Sequence, residues 1–193
     1  MLHMTNKDKT AATWSDVKAT LGNFDRTSLL RLVHDLYTTS KDNRNFLHAR
    51  FGLGCDVLKP YKTIMERWLW PDVYKHQKYS VAKAKKPISD YKKASGLPEG
   101  VAELTVYYCE QAMSFSREVG LDDGVYYDAL VRMFEQALKT VMALPETRRK
   151  SLLDRLQDVR ASGRGMGWGV GYSFNDLWQQ AGLGFDSSSN DLG

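Results

Sequence analysis

Residues 99–144 read EGVAELTVYYCEQAMSFSREVGLDDGVYYDALVRMFEQALKTVMAL and contain the two longest apolar stripes of the chain. In each stripe the apolar residues recur every three or four positions, which is the spacing of one face of an α-helix. Asp122 and Asp123 directly precede the second stripe and are expected to cap its helix. The pattern predicts two long helices at the centre of a core, with these side chains inward: Val101, Leu104, Tyr108, Ala112, Phe115, Tyr126, Leu130, Met133, Phe134, Ala137 and Val141.

The five prolines fall where helical periodicity starts, stops or bends, because proline fits the first helical turn better than the interior. No alternation typical of a strand persists. A stripe on residues 27–38 (Leu29, Leu30, Val33, Leu36, Tyr37) predicts a helix that pairs with the next one, where Phe46, Leu47 and Phe51 would be buried. The sequence therefore predicts an all-α bundle of seven or eight helices, with a glycine-rich C-terminal loop and a short terminal helix over residues 174–180.

Length and composition indicate one helical domain over residues 13–182, a flexible N-terminus over 1–12 and a disordered tail over 183–193. No apolar run is long enough to span a membrane, and the first twelve residues lack the apolar core of a secretory signal, which favours the cytoplasm. Cys55 and Cys109 form no CxxC pair and are expected to be reduced and packed in the core. The scattered histidines show no metal-binding spacing, so neither a metal site nor a cofactor is predicted.

Residues 75–93 concentrate the positive charge of the protein. The segment holds seven lysines and one acid, Asp90, so its formal charge is +6. The formal net charge of the whole chain is +4, so the residues outside the segment sum to −2. Such a concentration costs self-repulsion and attracts anionic partners. The lysines are Lys75, Lys78, Lys83, Lys85, Lys86, Lys92 and Lys93.

A helical wheel places Val81, Ala84, Ile88 and Tyr91 on one inward stripe, with the lysines spread over a broad outer arc. Pro87 removes a backbone hydrogen bond, which predicts a kink or two short helices, and Ser95-Gly96 predicts the end of the segment. Lysine is a point charge, so the composition favours contact with a phosphate backbone over base recognition. Tyr74, Tyr79 and Tyr91 would be available for stacking if they are exposed.

The leading hypothesis is a binding or regulatory module that uses these lysines to contact a polyanion, above all nucleic acid without sequence specificity. Two alternatives stay open for the lysines: a solvated face that only keeps the protein soluble, and docking on an acidic protein surface. The acids Asp154 and Asp158 lie near Arg149 and Arg155 in a pattern that suits surface ion pairs. No catalytic signature is present, so enzyme activity is the third possibility, behind the two binding hypotheses, and no substrate can be named for it.

Glycine alternates with other residues in GRGMGWGVGY, residues 163–172. The segment lacks the preceding strand and the Lys-Ser/Thr pair of phosphate-binding loops, so it predicts a loop. Its aromatic residues could fold back onto the helices. Alternatively, Trp168, Tyr172 and Trp178 form a partner-binding surface of a protein–protein adaptor, with the lysines serving only solubility.

Three stretches carry a resemblance: LHARF (47–51), KPYKTIMERWLWPD (59–72) and AKAKKPISDYKKASGLPEG (82–100). They resemble a family of small bacterial proteins catalogued only as a domain of unknown function. The resemblance covers residues 25–145 and implies a compact helical fold in a bacterial or phage-encoded cytosolic protein. It implies no activity, substrate or functional residue.

Overall fold

A computed structural model of the chain describes residues 11–72 and 75–184. The N-terminus predicted to be flexible and the tail predicted to be disordered lie almost entirely outside these ranges, and Tyr74 also lies outside them. The described residues contain helices and no strand, which confirms the all-α prediction. They form nine α-helices, where seven or eight were predicted: α1 (Trp14–Leu21), α2 (Arg26–Thr39), α3 (Lys41–Phe51), α4 (Lys59–Leu69), α5 (Val81–Ala94), α6 (Pro98–Val119), α7 (Gly124–Met142), α8 (Glu146–Ser162) and α9 (Val170–Gln180).

The chain divides into two compact units, one up to Arg44 and one from Asn45 onwards. In the N-terminal unit, Asp25 caps α2 by accepting a hydrogen bond from the backbone N–H of Ser28 at 2.7 Å. Neither α1 nor α2 contains a buried residue. The predicted burial of the α2 stripe is therefore not seen within this unit.

In the C-terminal unit, α6 and α7 pack on each other, and α4, α5 and α8 pack on α6. Each of the eleven inward positions predicted for α6 and α7 is buried. Asp123 caps α7 as predicted, accepting hydrogen bonds from the backbone N–H groups of Val125 and Tyr126. The regular period of two long helices thus determined the centre of the core.

Two predictions about smaller elements were wrong. Helix α3 buries only Ala49, while Phe46 and Phe51 are exposed. Cys55 is exposed as well, and only Cys109 is packed in the core.

Helix α9 begins at Val170, four residues earlier than the predicted start. Gly171 therefore lies inside the helix, and a side-chain carbon there would come within 2.7 Å of the carbonyl oxygen of Gly163. Only glycine permits that approach of the two backbones. Phe174 and Trp178 then pack into the core, so α9 closes onto α7 and α8.

Candidate functional site

Helix α5 holds the lysine-rich segment against the core through one apolar face. Ala84, Ile88 and Tyr91 are almost completely buried, and the Tyr91 ring meets the Tyr61 ring of α4 edge-on at 5.4 Å. Ser80 caps the first turn through the backbone N–H of Lys83. The helix ends at Ala94, directly before the predicted Ser95-Gly96 stop.

Pro87 lies inside a single continuous helix, so of the two predicted alternatives the pair of short helices was wrong, while the kink stays a prediction. The proline ring is buried with the apolar face. Because proline has no N–H, the carbonyl of Lys83 lacks its usual donor one turn later. Packing of the buried face offsets this cost, and the helix continues through the proline.

Five lysines cover the exposed half of α5, and we call them the lysine face: Lys83, Lys85, Lys86, Lys92 and Lys93. At 100° per residue, Lys85 and Lys92 form one row and Lys86 and Lys93 a second row about 100° away. Within a row the two lysines are seven residues apart, or about 10.5 Å along the helix. The exposed small residues Ala82 and Ser89 lie between the rows. The lysine face therefore consists of two rows of lysines separated by a shallow strip of small side chains.

Carboxylates neutralise the lysine face at one position. Lys86 pairs with Asp90 at 2.5 Å across one helical turn. Lys85, Lys92 and Lys93 form no ion pair with any residue in the described ranges. Three of the five ammonium groups therefore project into solvent without a counter-charge from residues 11–72 or 75–184.

Each end of α5 has an arginine from another helix close to it. The Lys83 ammonium lies 4.2 Å from the centroid of the Trp68 ring, and the Arg67 guanidinium lies 4.7 Å from the same ring. At the other end, Arg50 donates a hydrogen bond to the backbone carbonyl of Lys93 at 2.6 Å. Sequence reasoning missed Arg50 and Arg67, because no local spacing relates them to α5.

Lys75 and Lys78 belong to the segment before α5 and not to the lysine face. Both are exposed, and Lys75 pairs with Asp72 at 3.0 Å. The charge cluster seen in the sequence is therefore divided between a helix and the connection that precedes it.

Three tyrosines were predicted to be available for stacking if exposed; Tyr74 lies outside the described residues, and neither of the other two is exposed. Tyr91 is 2% exposed, so its ring has no free surface for a base. Tyr79 is half-buried, with its ring edge-on to Tyr126 at 5.3 Å and its hydroxyl donating to Asp123. This hydrogen bond raises the pKa of Tyr79 to about 12. Neither Tyr79 nor Tyr91 is therefore an exposed stacking partner for the lysine face.

The aromatic residues of the C-terminal region divide into two groups. Trp178 is buried beneath the guanidinium of Arg160, which lies 4.7 Å from the centroid of the indole ring. Trp168 is 64% exposed and donates its indole N–H to Asp122 at 2.7 Å, and Tyr172 is 82% exposed. Of the three predicted partner-binding residues, two are available at the surface.

A charge network joins α4, α6 and α8 on the C-terminal unit. Arg155 donates two hydrogen bonds to Glu110, at 2.7 and 2.6 Å, and two to Glu103, at 2.6 and 3.3 Å. Lys62 donates to Glu103 from the other side at 2.6 Å. The predicted ion pairs of Arg155 with Asp154 and Asp158 are absent among the described residues, since its partners lie 45 and 52 positions away.

Burial alone would raise the pKa of Glu103, but the hydrogen bonds from Arg155 and Lys62 outweigh it and hold that pKa below its usual value. The hydrogen bond to Glu110 in turn raises the pKa of Arg155. All the carboxylates here already have cationic partners, so the network ties helices together and offers no acid or base for chemistry. In the described ranges, no group of three or more metal-ligating side chains converges.

Arg155→Met is expected to lower the free energy of unfolding by about 1–2 kcal/mol at neutral pH, because Glu103 and Glu110 lose charged hydrogen bonds while the methionine keeps the aliphatic packing. The depressed pKa of Glu103 contributes stability above its unfolded value, and this stability is lost as pH falls through the folded value. The difference between wild type and variant should therefore shrink below about pH 4.5. Urea unfolding between pH 3 and 7 measures it.

Arg132→Met is the matched control, since Arg132 is exposed and forms no ion pair with the described residues. It should change stability by less than about 0.5 kcal/mol at every pH. A pH-independent loss for Arg155→Met would contradict the assignment.

Compared with protein-family models, curated proteins and solved structures, the chain matches none of them. The resemblance to the bacterial family therefore stays a prediction. No helix of the described residues has both the length and the apolar character that a membrane span requires.

Proposed function

We propose that this protein is a binding module whose lysine face contacts the phosphate backbone of a polyanion, with nucleic acid as the leading candidate. The observation that carries the proposal is the set of five exposed lysines on one half of α5, of which only Lys86 forms an ion pair with a carboxylate in the part of the chain that the structure describes. Lysines that neutralise phosphates release condensed counterions, which supplies affinity without sequence recognition.

The spacing of the lysine face suits a phosphate backbone. The roughly 10.5 Å between lysines of one row corresponds to about three nucleotides of axial rise along one strand. The small side chains of Ala82 and Ser89 leave room for a sugar–phosphate chain between the two rows of lysines. Arg50 adds a further cation beside Lys93.

The burial of Tyr91 and the contacts of Tyr79 with Tyr126 and Asp123 bear on how the lysine face would bind nucleic acid. Binding to single strands usually gains affinity from bases stacked on aromatic rings, and neither tyrosine presents a free ring face. The lysine face should therefore bind duplex and single-stranded nucleic acids through charge alone. Inorganic polyphosphate should compete for the same surface.

Charge reversal of Lys85, Lys92 and Lys93 to glutamate tests the proposal. For a fluorescent DNA duplex of about 20 base pairs at low salt, we expect affinity to fall at least about tenfold. We also expect the slope of log K against log salt to decrease in magnitude by about 2–3, since each phosphate that the protein no longer neutralises removes roughly 0.9 from the slope. Anisotropy titrations across a salt series measure both quantities.

The matched control reverses Lys59, Lys139 and Lys150, which are exposed on other helices. It changes net charge by the same amount, so a purely global electrostatic effect would weaken binding equally. Equal losses of affinity in the two triple variants, or no DNA binding by the wild type at low salt, would refute the lysine face as the site.

The protein–protein adaptor is the second candidate, supported by the exposure of Trp168 and Tyr172. It depends on Trp168 in the turn before α9 and on Tyr172 in the first turn of α9, and not on α5. The triple charge reversal should leave recognition of a protein partner unchanged, whereas alanine at Trp168 and Tyr172 together should abolish it. The two candidates therefore predict opposite outcomes for the same pair of variants.

A further inference from the structure

The apolar stripe of α2 is uncovered within its own unit. Leu30, Leu36 and Val33 are 61%, 50% and 44% exposed, and Leu29 is exposed as well. These side chains and Tyr37, which is half-buried, lie within about 60° on either side of Val33. A 14-residue helix is only marginally stable in water by itself, so it needs a partner for this stripe.

We propose that the partner is a second copy of this chain, and that two α2 helices pack antiparallel about a two-fold axis at Val33. This inference is independent of the proposed polyanion binding, because it concerns the N-terminal unit alone.

The order of the apolar residues along α2 is symmetric about Val33. Leu30 and Leu36 lie three residues before and after it, and Leu29 and Tyr37 lie four residues before and after it. In an antiparallel pair, Leu30 of one copy meets Leu36 of the other, and Leu29 meets Tyr37. A two-fold interface requires a surface that is complementary to itself, and this stripe meets that requirement.

The charges of α2 fit the same arrangement. Arg26 lies about 20° from Val33 on the apolar face, at the N-terminal end of the helix. Antiparallel packing brings it to the C-terminal end of the other α2, where the last carbonyls carry partial negative charge. Arg31 and Asp35 lie about 160° from Val33, so the charged side chains in the middle of the helix stay in solvent.

The apolar area available on the unit matches what a stable dimer buries. Among the described residues from 11 to Arg44, seven large apolar side chains are exposed: Trp14, Val17, Phe24, Leu29, Leu30, Val33 and Leu36. If each removes on the order of 100 Å² from water, one copy contributes roughly 700 Å², close to the roughly 800 Å² per partner of a standard interface. Helix α1 would join α2 in the contact.

Sedimentation of the full chain tests the association. We expect a dimer at about 50 µM protein, and a monomer for Val33→Asp, because a carboxylate would be buried at the two-fold axis. Ser28→Asp is the matched control: it adds the same charge on the opposite face, within the first turn of α2. A monomeric wild type, which would mean that another part of the chain covers the stripe, overturns the proposal. So does a Val33→Asp variant that remains dimeric.

Cysteine cross-linking tests the geometry without disturbing the fold. In a Cys55→Ser background, which removes the exposed thiol, Val33→Cys should form a disulfide between copies under mild oxidation. Leu30→Cys should not, because its two copies lie six residues, or about 9 Å, apart along the axis. Equal cross-linking at both positions would indicate a parallel pair and overturn the antiparallel arrangement.

Discussion

Replacing Phe134 with alanine should lower the free energy of unfolding by about 3–5 kcal/mol, the largest effect we expect from a single substitution in this protein. Phe134 is fully buried on α7, and its ring stacks on Phe174 of α9 with the centroids 4.1 Å apart. Alanine removes the ring, and the rigid neighbours on two helices leave a cavity behind. Chemical denaturation followed by circular dichroism measures the loss of stability.

The same substitution should loosen α9 before the rest of the fold. Phe174 is one of three buried anchors of that helix, with Val170 and Trp178. Without its stacking partner, Phe174 should hold α9 less firmly, and amide hydrogen exchange should increase across residues 170–180 while α6 stays protected. Uniform exchange across both helices would contradict a specific role of the Phe134–Phe174 contact.

Phe51→Ala provides the control for this prediction. Phe51 is 66% exposed at the end of α3, so its removal leaves no cavity and should change stability by less than about 0.5 kcal/mol. A cost for Phe134→Ala below about 1 kcal/mol would mean that α9 is not packed as the structure shows.

The parts of the fold that sequence predicts well are those with a long, regular apolar period. In α6 and α7 the 3.6-residue repeat continues for several turns, so the positions of Tyr108 and Phe134 in the core follow from spacing alone. The same reasoning identified the stripe of α2 and paired it with α3, but most of that stripe is exposed. Periodicity shows which face of a helix is apolar, and contains no information on what covers that face.

The lysine face likewise has features that the sequence predicted and contacts that it did not. Sequence showed the concentration of charge, and the wheel showed that Lys85 and Lys92 share a side of α5. It did not show that Asp90 neutralises Lys86 or that Tyr91 lies in the core against Gly100. Arg155 was assigned to nearby acids because a separation of a few residues along one helix is visible in a sequence, whereas its contacts with two glutamates of α6 depend on how the helices pack.

Gly100→Ala should destabilise the protein by about 2–3 kcal/mol, although the same change within a helix usually stabilises it. Gly100 lies in the first turn of α6, and a Cβ there would come within 2.5 Å of Cζ and 2.6 Å of Cε1 of Tyr91, and nearer still to its hydroxyl oxygen. The Tyr91 ring is 2% exposed and packs against Tyr61, so it has no space to retreat. The clash should outweigh the gain in helix propensity of at most about 1 kcal/mol.

A double-mutant cycle with Tyr91→Leu separates the clash from other effects. Leucine shortens the side chain opposite Gly100, so Gly100→Ala in that background should be neutral or slightly stabilising. Gly167→Ala is the control, since a Cβ at Gly167 would meet no atom within 4 Å. Because Tyr91 anchors α5, the Gly100→Ala variant should also weaken DNA binding by the lysine face, if that face functions as proposed. Stability unchanged by Gly100→Ala would show that α5 and α6 are less closely packed than their contact at Tyr91 requires.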